Sequence, residues 1–214
     1  MHSLNNNFKN FSRFIIAIDG PSATGKTTLS KALSDELNFP LLLTGKIYRA
    51  YAISLLSNNV DINNFNEILK CISEFKLKDL EQDLSSEQVA KYASIISSIP
   101  MVRKLADKFQ LDFIEANPFS ILEGRDIGTV ICPDANLKIF LTASPEVRAK
   151  RRMNELNASG NYNEILEQIV ARDKRDTERS ISPLIAAKNA VIIDNSDISQ
   201  KDQLEIVIGL LPKI

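Results

Sequence analysis

Histidine and cysteine are nearly missing from this chain: 214 residues contain one His, two Cys and no Trp, with only seven Gly and eight Pro. The lone imidazole, His2, sits in a polar opening stretch, so base catalysis by histidine is not expected. Cys71 and Cys132 are far apart and form no C-x-x-C, which argues against a thiolate metal site or redox pair and for two inert thiols in a reducing compartment. No apolar run approaches membrane-spanning length, and the start MHSLNNNFKNFSR is too polar for a secretory signal; the expected location is cytoplasmic. An excess of either charge is missing too, because 26 Lys and Arg face 27 Asp and Glu for a net charge of −1. Without a global field to recruit nucleic acid or an anionic membrane, the expected partners are small molecules and the chain is read as a monomer. Internal repeats and low-complexity linkers are absent as well.

What is present is an unbroken G-x-x-x-x-G-K-[ST] in Gly20–Thr28, GPSATGKTT, with Gly20, Gly25, Lys26 and Thr27 at the required spacing. Before it, Phe14–Ile18 (FIIAI) is a short β-branched run suited to a buried parallel strand; after it, Leu29, Ala32, Leu33 and Leu37 recur at helical spacing. Strand, loop and helix in that order aim backbone N–H groups and the positive end of a helix at a polyphosphate. The candidate triphosphate-binding residues are Gly20, Pro21, Ser22, Ala23, Thr24, Gly25, Lys26, Thr27 and Thr28; Lys26 would reach the β and γ phosphates and the Thr27 hydroxyl a Mg²⁺ ion.

Residues 1–13 read as a loosely held extension, followed by one domain over 14–214. Strands are expected at Pro40–Leu43, Phe119–Leu122, Leu137–Leu141 and Val191–Ile193 besides the first. Helices are expected at Lys46–Ser57, from Asn66 with Asn64 as cap, after a Ser85/Gln88 capping box, after Pro100, after Ser144–Pro145, over Tyr162–Arg175 and at the carboxyl end. Phe75–Leu84 could hold a short hairpin at most. Five apolar strands separated by helices define a three-layer α/β fold with a five-stranded parallel sheet, core segments 14–44 and 118–214, and a mainly helical insertion at 45–117. Ligands of such sheets bind beyond the carboxyl ends of the strands, where the loop, Thr44, Glu123 and Asp126 would lie.

Two arginine sets accompany the loop. Arg148, Arg151 and Arg152 share one predicted helix, and Arg172, Arg175 and Arg179 recur at intervals that give a single face if their helix is intact, with Asp173 and Asp176 as local ion-pair partners. Phosphoryl transfer needs cations around the migrating group more than it needs a base, which gives such sets a use.

The sequence resembles the bacterial cytidylate kinases, a family of phosphate-loop nucleoside monophosphate kinases, from Ile15 to the final helix. The resemblance is carried by IDGPSATGKTT (18–28), TGKIYRA (44–50), GRDIGTVICPDA (124–135), LKIFLTAS (137–144) and RDKRDTERSISPL (172–184). It implies ATP-dependent phosphorylation of CMP or dCMP, with 45–117 as the monophosphate-binding lobe and about 148–165 as an Arg-rich lid. It also implies that Arg49, Arg125 and Arg179 hold the CMP phosphate with Tyr48 and Thr44 nearby, that Ser94, Arg103 and Asp126 read cytosine, and that Arg172 and Asp176 meet the ribose. Arg148 and Arg151 would approach ATP, and Lys26, Arg125, Arg152 and Arg179 would balance charge on the transferred group.

The sequence departs from the family pattern at Leu43, where an acidic residue is usual, at Lys46, which replaces a small residue, and at Glu123, which stands where Asp is usual and would serve Mg²⁺ through water. The stretch between Ile72 and Ser86 is also short, which could loosen the choice between ribose and deoxyribose. GTPase chemistry lacks its N-K-x-D motif. A kinase for another acceptor, such as UMP or a metabolite hydroxyl, and a nucleotide-binding regulatory module without turnover are the alternative readings.

Overall fold

Six consecutive buried residues, Phe14–Asp19, form strand β1, the middle of the sheet; an apolar run closed by one carboxylate suits a strand covered on both faces. The computed structural model describes residues 8–73, 75–76, 79, 84, 86–155 and 161–212. The other strands are β2 (Leu41–Leu43), β3 (Phe119–Gly124), β4 (Leu137–Thr142) and β5 (Val191–Asp194), in the order β2-β3-β1-β4-β5. This is the five-stranded parallel sheet expected from sequence. Phe14 pairs with Phe119 and Asp19 with Gly124 on one side of β1, while Ile18 pairs with Ile139 of β4 on the other.

The described residues divide into two compact units, one within Met1–Leu42 and Ile114–Ile214 and the other Leu43–Phe113. In the first, α1 (Lys26–Leu37) buries Leu29, Leu33 and Leu37, and α8 (Gln200–Gly209) brings Val207 into the same cluster as Ile16, Ile18, Ile139 and Leu141. Helices α6 (Pro145–Glu155) and α7 (Tyr162–Glu178) pack on each other through Ala149, Ile165 and Ile169. The second unit contains α2 (Thr44–Ser57), α3 (Phe65–Ile72), α4 (Glu87–Ile96) and most of α5 (Pro100–Ala116). Its Tyr51, Phe75 and Phe109 stack edge to face.

Several expectations need correction. Phe8 is 4% exposed and packs on Phe14 and Phe39, with Phe11 against Phe14, so residues 8–13 are anchored by aromatic burial instead of hanging loose. The cap of α4 is Ser86 with no side-chain bond; Ser85 lies outside the described residues, as does most of the possible hairpin at Phe75–Leu84. Helix α7 continues to Glu178, and Arg179 is the first residue beyond it, with extended φ and ψ of −62° and 139°, so it does not extend the helical face of Arg172 and Arg175. A short π turn at Ile127–Ile131, unseen in the sequence, follows Asp126. Asn64 does cap α3, accepting from the Glu67 N–H. Both cysteines are free, and burial pushes the Cys132 thiol up to about 11, in keeping with an inert role. Among the described residues no helix is long and apolar enough to cross a membrane.

Candidate active site

The loop after β1 owes its shape to two glycines. Gly20 has φ +148°, and a Cβ there would lie 2.0 Å from the Leu141 carbonyl oxygen. Gly25 has φ +85° and caps α1 with no side chain bonded to the helix amides and no acidic residue in the first turn. That helix end therefore keeps its partial positive charge for an external anion. Between them, Ala23 is held at φ 57°, an uncommon conformation for a residue with a Cβ.

Donors back the carbonyls of this loop. Lys26 Nζ donates to Pro21 O at 2.6 Å, Arg148 to Ser22 O at 3.3 Å and Asn195 Nδ2 to Thr24 O at 2.7 Å. Peptide planarity turns each following N–H the opposite way, which suits a loop that binds anions by its amides. Lys26 is buried, and burial, then the nearby Arg125, lowers its pKa from 10.5 to about 7; Glu123 pulls the other way and Arg172 lowers it further. Lys26, Arg125 and Arg172 thus share one field.

Arg125 and Asp126 follow β3 directly. Arg125 Nε donates to Asp176 Oδ2 at 3.1 Å, Arg172 lies 3.8 Å from the same oxygen, and Arg179 lies 3.8 Å from Asp126 Oδ1 while its Nε donates to Ser182 O at 2.5 Å. All five expected residues of this set are thereby brought together. Thr27 Oγ1 donates to Glu123 Oε2 at 2.8 Å, so a hydroxyl and a carboxylate, both hard oxygen ligands suited to Mg²⁺, converge at the start of α1.

The α6 arginines are engaged with protein groups. Arg148 is 3% exposed and donates a bidentate pair of hydrogen bonds to Asp173, at 3.0 and 2.5 Å, plus one to Ala143 O. Asp173 is therefore a partner of Arg148 across helices, not of its own helix face. Arg151 donates to Asn195 Oδ1 at 2.9 Å and to Asn195 O at 2.8 Å; Arg152 pairs with Glu155 at 2.9 Å.

Within the second unit, Arg103 is 2% exposed, lies 5.8 Å from the Tyr48 ring centroid, donates to Ser97 O at 3.3 Å and sits 3.7 Å from Asp107. Arg49 donates to Leu84 O at 2.5 Å, Thr44 is buried at the start of α2, and the Ser94 hydroxyl is buried without a hydrogen-bond partner among the described residues.

Two groups escaped the sequence reading. Asp19, 4% exposed, accepts from the N–H groups of Ile127 and Gly128 at 2.9 and 2.8 Å, pinning the π turn that follows Arg125 and Asp126. Burial lifts its pKa from 3.8 to about 6 against the pull of those bonds. A carboxylate ending an otherwise apolar strand was the available signal. Asn195 carried none.

A parallel sheet whose central strand runs through this loop into α1 defines the phosphate-loop α/β class of nucleotide-binding folds. Solved structures agree on the fold alone: shikimate kinase from Bacteroides thetaiotaomicron has a TM-score of 0.51 at 14% identity, covering 93% of this chain and 98% of that one. A gluconokinase from Sinorhizobium meliloti 1021 has a TM-score of 0.50 at 12% identity, covering 92% and 90%. Within that class the chain belongs to the cytidylate kinase family, whose profile matches residues 16–213. Cytidylate kinase from Rickettsia rickettsii (strain Sheila Smith) is 40% identical over 197 residues, 91% of this chain and 90% of that protein. Cytidylate kinase from Rickettsia bellii (strain OSU 85-389) is 38% identical over 203 residues, 94% and 93% respectively.

Proposed function

We propose that this protein transfers the γ-phosphoryl group of ATP to CMP or dCMP, and that each unit supplies its own part of the recognition. The observation that carries the reading is the cation group on the first unit: Lys26, buried at the start of α1 and bonded to Pro21 O of the phosphate loop, lies in the field of Arg125 and Arg172, which share Asp176. Such a group is relieved by a polyanion, and two phosphorylated substrates supply one.

The loop amides and Lys26 bind the ATP phosphates. Mg²⁺ carried with ATP would be held by Thr27 Oγ1 and, through water, by Glu123, where it neutralises charge on the β and γ oxygens. On the first unit Arg125 and Arg179 are assigned to the acceptor phosphate and Arg152 of α6 to charge on the transferred group; on the second unit Arg49 is assigned to phosphate binding. No general base is assigned, because the acceptor phosphate is already an anionic nucleophile at neutral pH. Asp176 and Arg172 orient the ribose. Base reading is assigned to Ser94 and Arg103 on the second unit and to Asp126 on the first: cytosine presents an N4 amino donor beside ring acceptors, and a carboxylate or hydroxyl and a guanidinium are the matching group types. Ser94 suits this part, since its buried hydroxyl has no partner among the described residues.

ADP release measured with ATP and a panel of CMP, dCMP, UMP and a hydroxyl acceptor tests the assignment. CMP and dCMP are expected to lead, with UMP disfavoured by roughly 1 to 3 kcal/mol in kcat/KM, the scale of one misread base edge. Equal efficiency with UMP and CMP would refute the base reading. ATP binding without acceptor-dependent ADP formation would refute the kinase reading.

A further inference from the structure

Asn195 is the residue directly after β5, 2% exposed, and its side chain makes three hydrogen bonds that use both of its N–H donors. Nδ2 donates to Thr24 O at 2.7 Å and to Gln203 Oε1 of α8 at 2.6 Å, while Oδ1 accepts from Arg151 of α6 at 2.9 Å. Its backbone is tied down as well: the N–H donates to Thr142 O at 2.9 Å and the carbonyl accepts from Arg151 at 2.8 Å. Gln203 is itself 4% exposed. A side chain of this size with two N–H donors and an acceptor is an amide; Asp would turn acceptors toward the Thr24 carbonyl, and Ala would take away that carbonyl's 2.7 Å donor and the one that Gln203 Oε1 accepts from.

We propose that Asn195 is a positioning residue for the phosphoryl donor: it fixes the Thr24–Gly25 peptide of the phosphate loop and couples that peptide to the α6 cation Arg151. The peptide is planar and trans, so holding Thr24 O on Asn195 directs the Gly25 N–H to the opposite side, where an anion can meet it. The loop needs such a tether. Ala23 and Gly25 both have positive φ, at 57° and 85°, and local backbone preference does not hold a peptide between two such residues. Asn195 is also the nearest neighbour a Cβ on Gly25 would meet, at 3.8 Å from Nδ2. Arg151 then serves the donor through Asn195 and the Thr24 carbonyl, to which it also points at 3.5 Å. This rests on the reading of the loop as the ATP site.

The test compares the full-length wild type with Asn195→Asp, Asn195→Ala and Gln203→Leu by steady-state kinetics in ATP and CMP, calorimetric ATP titration and thermal unfolding without ligand. Asn195→Asp and Asn195→Ala are expected to raise KM for ATP roughly tenfold, with KM for CMP within about twofold, the loss being that of one buried hydrogen bond. Gln203→Leu, which keeps the Thr24 bond but removes its orienting neighbour, is expected to raise KM for ATP about threefold. If Asn195→Asp does not fold, Asn195→Ala and Gln203→Leu decide. An unchanged KM for ATP in the folded variants, or equal rises in both KM values, would overturn the proposal while leaving the ATP site standing. Failure of the wild type to bind ATP in the titration would overturn the donor reading and this proposal with it.

Discussion

In the unit built on the sheet, the arginines assigned to phosphate arrive with counter-ions from elsewhere in the chain: Arg125 with Asp176, Arg179 with Asp126, Arg148 with Asp173. In Leu43–Phe113, Arg103 has Asp107 one turn along its own helix and donates to Ser97 O, while Arg49 donates to Leu84 O. The difference suits the two tasks. Carboxylates hold a guanidinium in one orientation before any substrate is present, which is what charge balance during transfer requires. A carbonyl acceptor, as at Arg49 and Arg103, orients a guanidinium without itself adding a counter-charge.

The largest effect that would break this contrast is on the sheet side. Lys26→Ala is expected to lower kcat on the order of a hundredfold to a thousandfold in the ADP-release assay, the range for one preorganised charge partner; near-normal turnover would remove the loop from the chemistry. On the helical side, Arg103→Lys keeps the charge but loses the planar fork, so KM for CMP is expected to rise roughly tenfold with KM for ATP steady; a matching rise in both would erase the division of labour. The pH dependence sharpens the contrast further. In the unliganded fold Lys26 gives up its proton near pH 7, whereas the unfolded chain keeps it until about 10.5, so its contribution to stability rises with pH across that window. ATP favours the charged lysine; binding should therefore take up a fraction of a proton above pH 7, read from calorimetry in buffers of different ionisation enthalpy, and affinity should weaken toward pH 9. Uptake of no proton would mean Lys26 stays charged in the unliganded protein. The smallest effect is expected for Ser94→Ala: a few-fold loss in kcat/KM for CMP with the melting temperature unchanged or raised, because no bond among the described residues is lost.

Much of the sheet side could be read in advance, since a phosphate loop is a backbone device and its glycines and lysine must stand at fixed intervals. The strands were legible for the same kind of reason: runs such as FIIAI and LKIFL can only be buried on both faces. What escaped were partners joined through the fold. Asn195 meets Thr24 across 171 positions and Arg148 meets Asp173 across 25, and no spacing marks such pairs. Asp173 was instead given to its own helix, where the i, i+3 and i, i+4 rule looks first. The roles of Ser94 and Arg103 came only from family likeness, because a hydroxyl and a guanidinium on helices look like ordinary surface residues until burial is known. Phe8 shows the opposite: two aromatics, Phe8 and Phe11, in an otherwise polar stretch are too few to mark a buried element, yet Phe8 has a ready-made slot.

That slot lies at the end of the sheet away from the phosphate loop, where Phe14 and Phe119 pair across β1 and β3 and Phe39 closes over them. Thermal endurance and turnover are consequently governed from opposite tips of the same strand. Trimming the chain back to Arg13 would shed Phe8 and Phe11, a loss of at least roughly the 3 to 5 kcal/mol of one buried Phe→Ala change, at the end of the sheet away from the nucleotide loop. The aromatic tip is thus a dial for robustness that evolution, or an engineer, could turn without retuning the catalyst.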